Sequence, residues 1–345
     1  MKNKDITICT LEEAKKNFKS ILENKKIEIS DKENTKGVFI YLSSNKDYAS
    51  PIQICDNSEE NFQEENYRCV VIVGENSRLK IIHAEENQKQ NISLENNIEV
   101  FLEDNSSLEY YKVENIFSDT MLKSNANFNL GNNTQLKTFW LSINGKAIRN
   151  KLNVEFNGEY SSAQLNGLYL GDNQQTIDNQ ISVFHNKPHC TSNQLYKGIL
   201  DDSAKALFQG HIYVEEGASF CEAMQKNKNI LLSDKASVNT QPFLEIYNDE
   251  VKCSHGATIG QLDENAMFYM QSRGITKRSA RMLLLFAFCT EVLSSSSIEE
   301  LNQKLEDIIK RRLHGDISDC QNCILLCNTP CLTFNIDKSK IENNQ

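Results

Sequence analysis

Proline is scarce: four residues in a chain of 345. That suits a protein built from internal strands, which cannot spare a backbone N–H. No apolar run approaches the roughly 18 residues that a bilayer-spanning helix needs. Positive charge is also in short supply, with 37 Lys and Arg against 47 Asp and Glu and a net charge of −10. Without a basic surplus, a nucleic-acid binder held by phosphate contacts is disfavoured, and so is adhesion to an anionic membrane. The opening MKNKDITICTLEEAKKNF carries lysines but lacks the apolar core of a secretory signal, so the expectation is a cytoplasmic protein. What the chain does have is 39% hydrophobic and 24% charged residues, enough for one large or two ordinary folded domains.

Cysteine is plentiful but does not read as a disulfide framework. Eleven is an odd number, and seven (Cys9, Cys55, Cys69, Cys190, Cys221, Cys253, Cys289) are scattered singly. A secreted disulfide scaffold would be shorter and more evenly spaced. The other four cluster near the end as Cys320, Cys323, Cys327 and Cys331.

Residues 1–35 begin with a helical pattern: Thr10 as cap, Glu13 as its capping-box partner, and an apolar face of Leu11, Ala14, Phe18, Ile21 and Leu22. A polar linker follows. Residues 36–262 are a succession of short strand-like runs such as Cys69–Val73, Leu79–His83, Ile98–Leu102, Leu108–Val113 and Leu136–Leu141. The corners between them resemble one another: GENSRLKI, EDNSSLEY and GNNTQLKT, then EEGASFCE and SDKASVNT. Ser77 to Ser106 is 29 residues, Ser106 to Thr134 is 28, and Thr134 to Ser162 is 28. A repeat of this size predicts a stacked solenoid. Asparagine-rich corners support that over a β-sandwich, because Asn tolerates the left-handed conformation and can align with the Asn of the next coil.

Beyond Gly260 the period becomes helical. Glu264–Gln271 reads as a short helix stopped at Ser272-Arg273-Gly274. A second, capped by Thr276, runs to Leu293 with Ala280, Leu283, Leu284, Ala287 and Phe288 as its apolar residues. Ser294–Ser297 cap a third, with Ile298, Leu301, Leu305, Ile308 and Ile309 on one stripe. These helices either close the solenoid or present a face to a partner. The C-terminal helical region is set at 263–315, and a cysteine-containing tail, partly disordered, at 316–345.

The stretch FLEIYNDEVKCSHGATIGQLDENAMFYMQSRGI is the densest in chemistry. Cys253 and His255 are two apart, so on a strand they share a face. They are either metal ligands or an activated thiol, or else a buried thiol beside a hydrogen-bonded imidazole. VKCSHGATIG followed by FYMQSRGI, preceded by NQLYKGIL, FQGHIYV and NILLS in that order, resembles the SufD family of the SUF iron–sulfur cluster assembly scaffold over about 195–293. The resemblance implies a mainly β protein, a right-handed parallel β-helix with a short N-terminal helix and a C-terminal helical region. It implies a non-catalytic subunit that pairs with a homologous SufB subunit and docks a SufC ATPase. His255 falls on the family's functional histidine, an inferred iron or cluster ligand at the subunit interface, with Cys253 a secondary candidate. The SufC contact maps to Phe268, Tyr269, Arg273, Gly274, Leu283 and Leu284. The implied cargo is transient iron or an Fe–S cluster at the SufB–SufD interface, with ATP entering through SufC alone and reduced flavin a further candidate in the complex. Consistent with that, the chain has no GxxxxGK[ST] phosphate loop, since Gly145-Lys146-Ala147 lacks the earlier glycine and the hydroxyl. The resemblance implies sulfur-delivery proteins as indirect partners; the N-terminal helical part is abbreviated relative to the family, a departure that bears on functions associated with that region. Alone, the chain is expected to form a homodimer through the edge that meets SufB.

Other features keep rival readings open. Cys320, Cys323, Cys327 and Cys331 are spaced for one helical stripe and read as a metal or cluster site, a redox pair or free thiols. FHNKPHC places His185, His189 and Cys190 near one corner as zinc ligands or ordinary loop residues, and His211 in FQGHIYV reads as a half-buried strand histidine. The alternatives are a SufB-like subunit, a carbohydrate-active β-helix enzyme, for which Asp201-Asp202 is the one eye-catching acidic pair, and an electron-transfer protein built on the cysteine tail.

Overall fold

The computed structural model describes residues 5–29, 36–56, 64–85 and 90–314. Strand accounts for 53% of it, in a parallel β-solenoid of about seven turns. Nine strands form one sheet: Ile6–Thr10, Lys36–Leu42, Glu64–Val73, Ser93–Leu102, Met121–Leu130, Ala147–Phe156, Thr176–His185, Lys205–Val214 and Ser237–Ile246. Eight form the other: Ile52–Asp56, Arg78–Glu85, Ser107–Asn115, Gln135–Asn144, Ser162–Gly171, Thr191–Leu200, Glu222–Leu231 and Lys252–Gly260. From Lys36 onward, successive strands alternate between the sheets, so each coil adds one strand to each. Every pairing is parallel except that of Ile6–Thr10 with Lys36–Leu42, which is antiparallel.

The core lies between the sheets, built from one alternating face of each strand. Where two large side chains would collide across coils, the register supplies a glycine. A Cβ on Gly167 would sit 2.1 Å from the Tyr196 ring, and one on Gly198 would sit 2.2 Å from that of Tyr169. The interior is also charged. Lys112, Glu85 and His83 are fully buried, with Lys112 Nζ 2.6 Å and His83 Nε2 2.9 Å from Glu85 Oε1. Glu114 accepts hydrogen bonds from Trp140 Nε1 (2.7 Å), Ser142 Oγ (2.6 Å) and Asn150 Nδ2 (2.9 Å).

The corners repay the asparagine count. Asn45, Asn76, Asn105 and Asn133 all have φ between 54° and 62°, and Asn76 Nδ2 donates to Asn45 Oδ1 at 3.1 Å. The residue after each of the last three is a buried hydroxyl: Ser77, Ser106 and Thr134. Two details of the sequence reading change. The next member of that column is Ser161, not Ser162, because Gln135 pairs with Ser162 and Thr134 Oγ1 donates to Ser161 Oγ at 3.0 Å. SDKASVNT lies at the opposite corner, leading from Glu222–Leu231 into Ser237–Ile246, so its likeness to the others reflects turn chemistry rather than position.

The two ends of the solenoid differ. At the first, the antiparallel strand and two short helices, α1 (Leu11–Asn17) and α2 (Lys19–Asn24), cover Phe39, Val70 and Ile72. Thr10 and Glu13 form the expected capping box, and the structure adds the strand Ile6–Thr10 before it and a break at Phe18 between the two helices. At the other end come α3 (Glu264–Ser272), α4 (Lys277–Leu293) and α5 (Glu299–His314). Helices α4 and α5 pack on the outer face of the eight-stranded sheet, burying Leu285, Cys289, Val292, Leu293, Leu301, Leu305 and Ile309 against Phe139, Leu141, Leu168 and Ile199. Buried Lys197 pins α4: its Nζ donates to Phe288 O and pairs with Glu291 Oε2, each at 2.6 Å. The apolar face read for α4 is therefore offset. Ala280 is buried and Phe288 packs on the core, but Leu283 and Ala287 are exposed. No helix among the described residues is long and apolar enough to cross a membrane.

Candidate functional site at the open end of the solenoid

Among the described residues each sheet ends here without a further strand: Ser237–Ile246 is the last of the nine-stranded sheet and Lys252–Gly260 the last of the eight-stranded one. In a parallel ladder alternate residues bond to alternate neighbours. Lys252 N–H donates to Cys221 O at 2.9 Å, so Lys252 faces inward to the preceding coil. The backbone groups of Cys253, His255, Ala257 and Ile259 then point along the axis, where no described strand receives them. On the companion strand Ser237 N–H donates to Ala204 O (3.0 Å), which puts Pro242 in the outward-pointing set. The proline therefore costs no ladder bond, as expected of an edge strand. Large apolar side chains gather here, with Phe243, Ile246, Tyr247 and Ile259 all exposed. A solvated edge of this kind is a template for another chain.

The strand places Cys253 and His255 on the same face, as the spacing predicts. Cys253 lies in register with Ala223 and packs against the core, and His255 lies in register with Gln225. The two differ in environment: Cys253 is half-buried, whereas His255 is exposed. Burial raises the Cys253 thiol above its usual range, and Cys221 nearby adds to that, while a hydrogen bond with the Ala223 backbone opposes both. Cys253 therefore rests as a thiol, and ligation of a soft metal through it would displace a proton. Beneath His255, Gln225 Oε1 and both amide atoms of Gln194 are buried without hydrogen-bond partners.

The residues assigned to an ATPase contact lie on α3, α4 and the turn between them. Phe268 is 75% exposed, Tyr269 59% and Leu283 50%, while Leu284 is half-buried. Arg273 lies over the Tyr269 ring at 5.2 Å. Gly274 ends α3 at φ 86°, a conformation that favours glycine, and Thr276 caps α4 through the Ser279 N–H.

Other candidates separate. Cys320, Cys323, Cys327 and Cys331 lie outside the described residues. Among the described residues no group of three or more His, Cys, Asp or Glu is arranged to hold a metal ion. His185 is buried with Nε2 2.9 Å from Ser192 Oγ, whereas His189 stacks between Tyr160 and Phe220. His211 is half-buried, with Nε2 3.5 Å from Glu245 Oε2. The acidic pair is structural: Asp201 binds Arg281 at 2.8 Å, and Asp202 turns a corner at φ 50°. A groove of about 560 Å³ lies elsewhere, lined by Lys25, Phe101, Glu103 and Asp104 among others, and borders none of the site residues named from the sequence.

Residues 54–288 match the family model described as SUF system FeS cluster assembly, SufBD core domain. The chain belongs to the SufBD family. It is 37% identical over 173 residues to the iron–sulfur cluster assembly protein SufD of Escherichia coli, a match covering 50% of this chain and 41% of that protein. A SufBD family protein of Synechocystis is 32% identical over 219 residues (63% and 48%). The iron–sulfur cluster assembly protein SufD of Bacillus subtilis is 26% identical over 286 residues (80% and 64%). The matches to the first two span less than half of those relatives. The SufBD model takes in the whole solenoid from its third strand to its open edge, together with α3 and most of α4.

Proposed function

We propose that this SufBD chain is a SufD-like, non-catalytic subunit of a cytoplasmic SufB–SufC–SufD scaffold for iron–sulfur cluster assembly. One observation carries the reading: the strand that bears Cys253 and His255 on one face is also the last of its sheet, with no described strand on its outer edge. A homologous SufB subunit with a similar edge would continue the ladder, burying Phe243, Ile246 and Ile259 and placing His255 at the junction. Neutral imidazole is a good iron ligand, and the half-buried Cys253 is the thiol within the same strand. Iron, sulfide or the nascent cluster is cargo at that junction, with SufB supplying the principal thiolate. ATP enters through a SufC ATPase docked on Phe268, Tyr269, Arg273, Gly274, Leu283 and Leu284. Sulfur-delivery proteins act through SufB, and reduced flavin is a candidate electron source for the assembled complex. Without SufB, the same edge supports a homodimer.

Replacing His255 by alanine touches an exposed side chain, so folding and complex formation are expected to persist while cluster build-up in the co-expressed complex falls. Absorbance and iron content of the purified complex measure this, and wild-type cluster yield from His255→Ala would remove the imidazole from the mechanism. Leu283→Glu is expected to leave stability within about 0.5 kcal/mol, as for most surface substitutions. SufC affinity should fall at least about tenfold, because a charge would be buried in the contact. Titration calorimetry with unchanged affinity would show that SufC docks elsewhere.

A further inference from the structure

The corner columns change chemistry part-way along the solenoid. The early corners read Asn76-Ser77, Asn105-Ser106 and Asn133-Thr134, and the later ones read Tyr160-Ser161, His189-Cys190 and Phe220-Cys221. Tyr160, His189 and Phe220 keep the left-handed conformation, with φ of 57°, 61° and 59°, which is uncommon for bulky side chains. Their rings stack, with centroids 4.6 Å and then 5.1 Å apart, and Tyr160 and Phe220 are exposed. Directly inside that stack the hydroxyl column becomes a thiol column.

Cys190 and Cys221 occupy equivalent positions on consecutive coils. Glu222 N–H donates to Cys190 O at 3.0 Å, and Thr191 pairs with Glu222. Neighbouring strands run about 4.8 Å apart, within the Cα separation that a disulfide spans. Two coils earlier in the same column, Thr134 and Ser161 already touch oxygen to oxygen at 3.0 Å. Both thiols are buried and free, and their S–H groups lie against backbone carbonyls, Gly158 O (3.2 Å) and Pro188 O (3.5 Å) for Cys190 and Lys187 O (3.3 Å) for Cys221. A second observation points to chemistry rather than packing. His185 is fully buried against the Phe156 ring, and its Nδ1 has no hydrogen-bond partner.

We infer that Cys190 and Cys221 form a dithiol site that a small two-electron oxidant such as a peroxide converts to a disulfide joining consecutive coils. The Cys221 thiolate attacks the peroxide oxygen, giving a sulfenic acid and hydroxide. The Cys190 thiol then displaces that oxygen as water, forming the S–S bond, so two thiols are oxidised and one peroxide is reduced to two waters. Supporting the order of attack, the neighbouring Cys190 thiol and then the His185 ring hold Cys221 below the usual thiol range, whereas Cys190 is raised. The bond would join the coil that precedes the edge strand Lys252–Gly260 to the one before it. This site is independent of the scaffold reading.

The test uses the full chain, reduced, then exposed to hydrogen peroxide under native conditions, blocked with an alkylating agent and digested without reduction. The expected result is a Cys190–Cys221 linked peptide pair and a protein mass lower by two hydrogens, both reversed by dithiothreitol and absent in Cys221→Ser. Serine is what the same column holds at 77, 106 and 161, so this variant is expected to fold, and Cys190→Ser provides the same readout should it not. Recovery of Cys190 and Cys221 as free thiols, as terminal sulfonic acids, or joined to other cysteines would overturn the inference.

Discussion

Replacing Lys112 by methionine is expected to remove about 3–5 kcal/mol of stability, the usual cost of stripping one partner from a buried ion pair. The ammonium is fully buried and lies 2.6 Å from Glu85 Oε1. Burial alone would raise the Glu85 carboxyl. Lys112 and then His83 outweigh it, and hold the group below the ordinary carboxylate range. A depressed carboxyl stabilises the fold above its unfolded pKa of about 4.3, and that contribution disappears as pH falls through the folded value. His83 is lowered by burial and by Lys112, so its acid-side loss begins as pH drops through about 6.5, where the unfolded imidazole takes a proton first. In Lys112→Met burial prevails and Glu85 rises, so the stability gap to wild type should narrow as pH is lowered. A second substitution, Glu85→Gln, should recover most of the loss. Urea denaturation at two pH values checks both statements. A loss under about 1 kcal/mol, or no rescue by the double variant, would show that the interior charges are not coupled as the distances indicate.

Ala257→Pro is expected to leave the solenoid intact and to weaken pairing with the homologous subunit about tenfold or more. Ala257 belongs to the set whose N–H points away from the preceding coil, so proline removes no internal bond. Pro242 occupies the same kind of outward position on the companion strand. At a newly buried junction, however, the missing donor leaves a partner carbonyl unsatisfied, which costs about 1–3 kcal/mol. Equal affinity of wild type and Ala257→Pro for the partner would mean that the Lys252–Gly260 edge does not continue a ladder.

The solenoid was legible because its signals repeat. Asn and Ser recur at the corners at a spacing near 28 residues, and an error of one residue at Ser162 does not alter the architecture. What the sequence hid was direction. LEYYKVEN changes phase at Tyr110-Tyr111, so Lys112 and Glu114 fall on the same face as Leu108 and Tyr110, although charged residues in a strand are ordinarily read as solvent-facing. The register across coils, which brings Glu85 to Lys112 and Glu114 to Trp140, is set by tertiary pairing. The offset of the buried face of helix α4 has a related cause. Met282 to Phe288 is almost continuously apolar, so periodicity does not select one stripe, and the sheet surface chose Leu285, Cys289 and Val292. Cys253 and His255 were found by their spacing on one strand. That the strand is the last of its sheet follows only from the change of period after Gly260. The Cys190–Cys221 pair, 31 residues apart, is invisible without the register.

The most direct test is the mass of what co-purifies when the full chain is expressed with the same organism's SufB- and SufC-like proteins. A stable complex holding one copy of this chain, one SufB-like subunit and two ATPase subunits by native mass spectrometry is the expected result. Elution of the chain free of both partners would contradict the account at its centre.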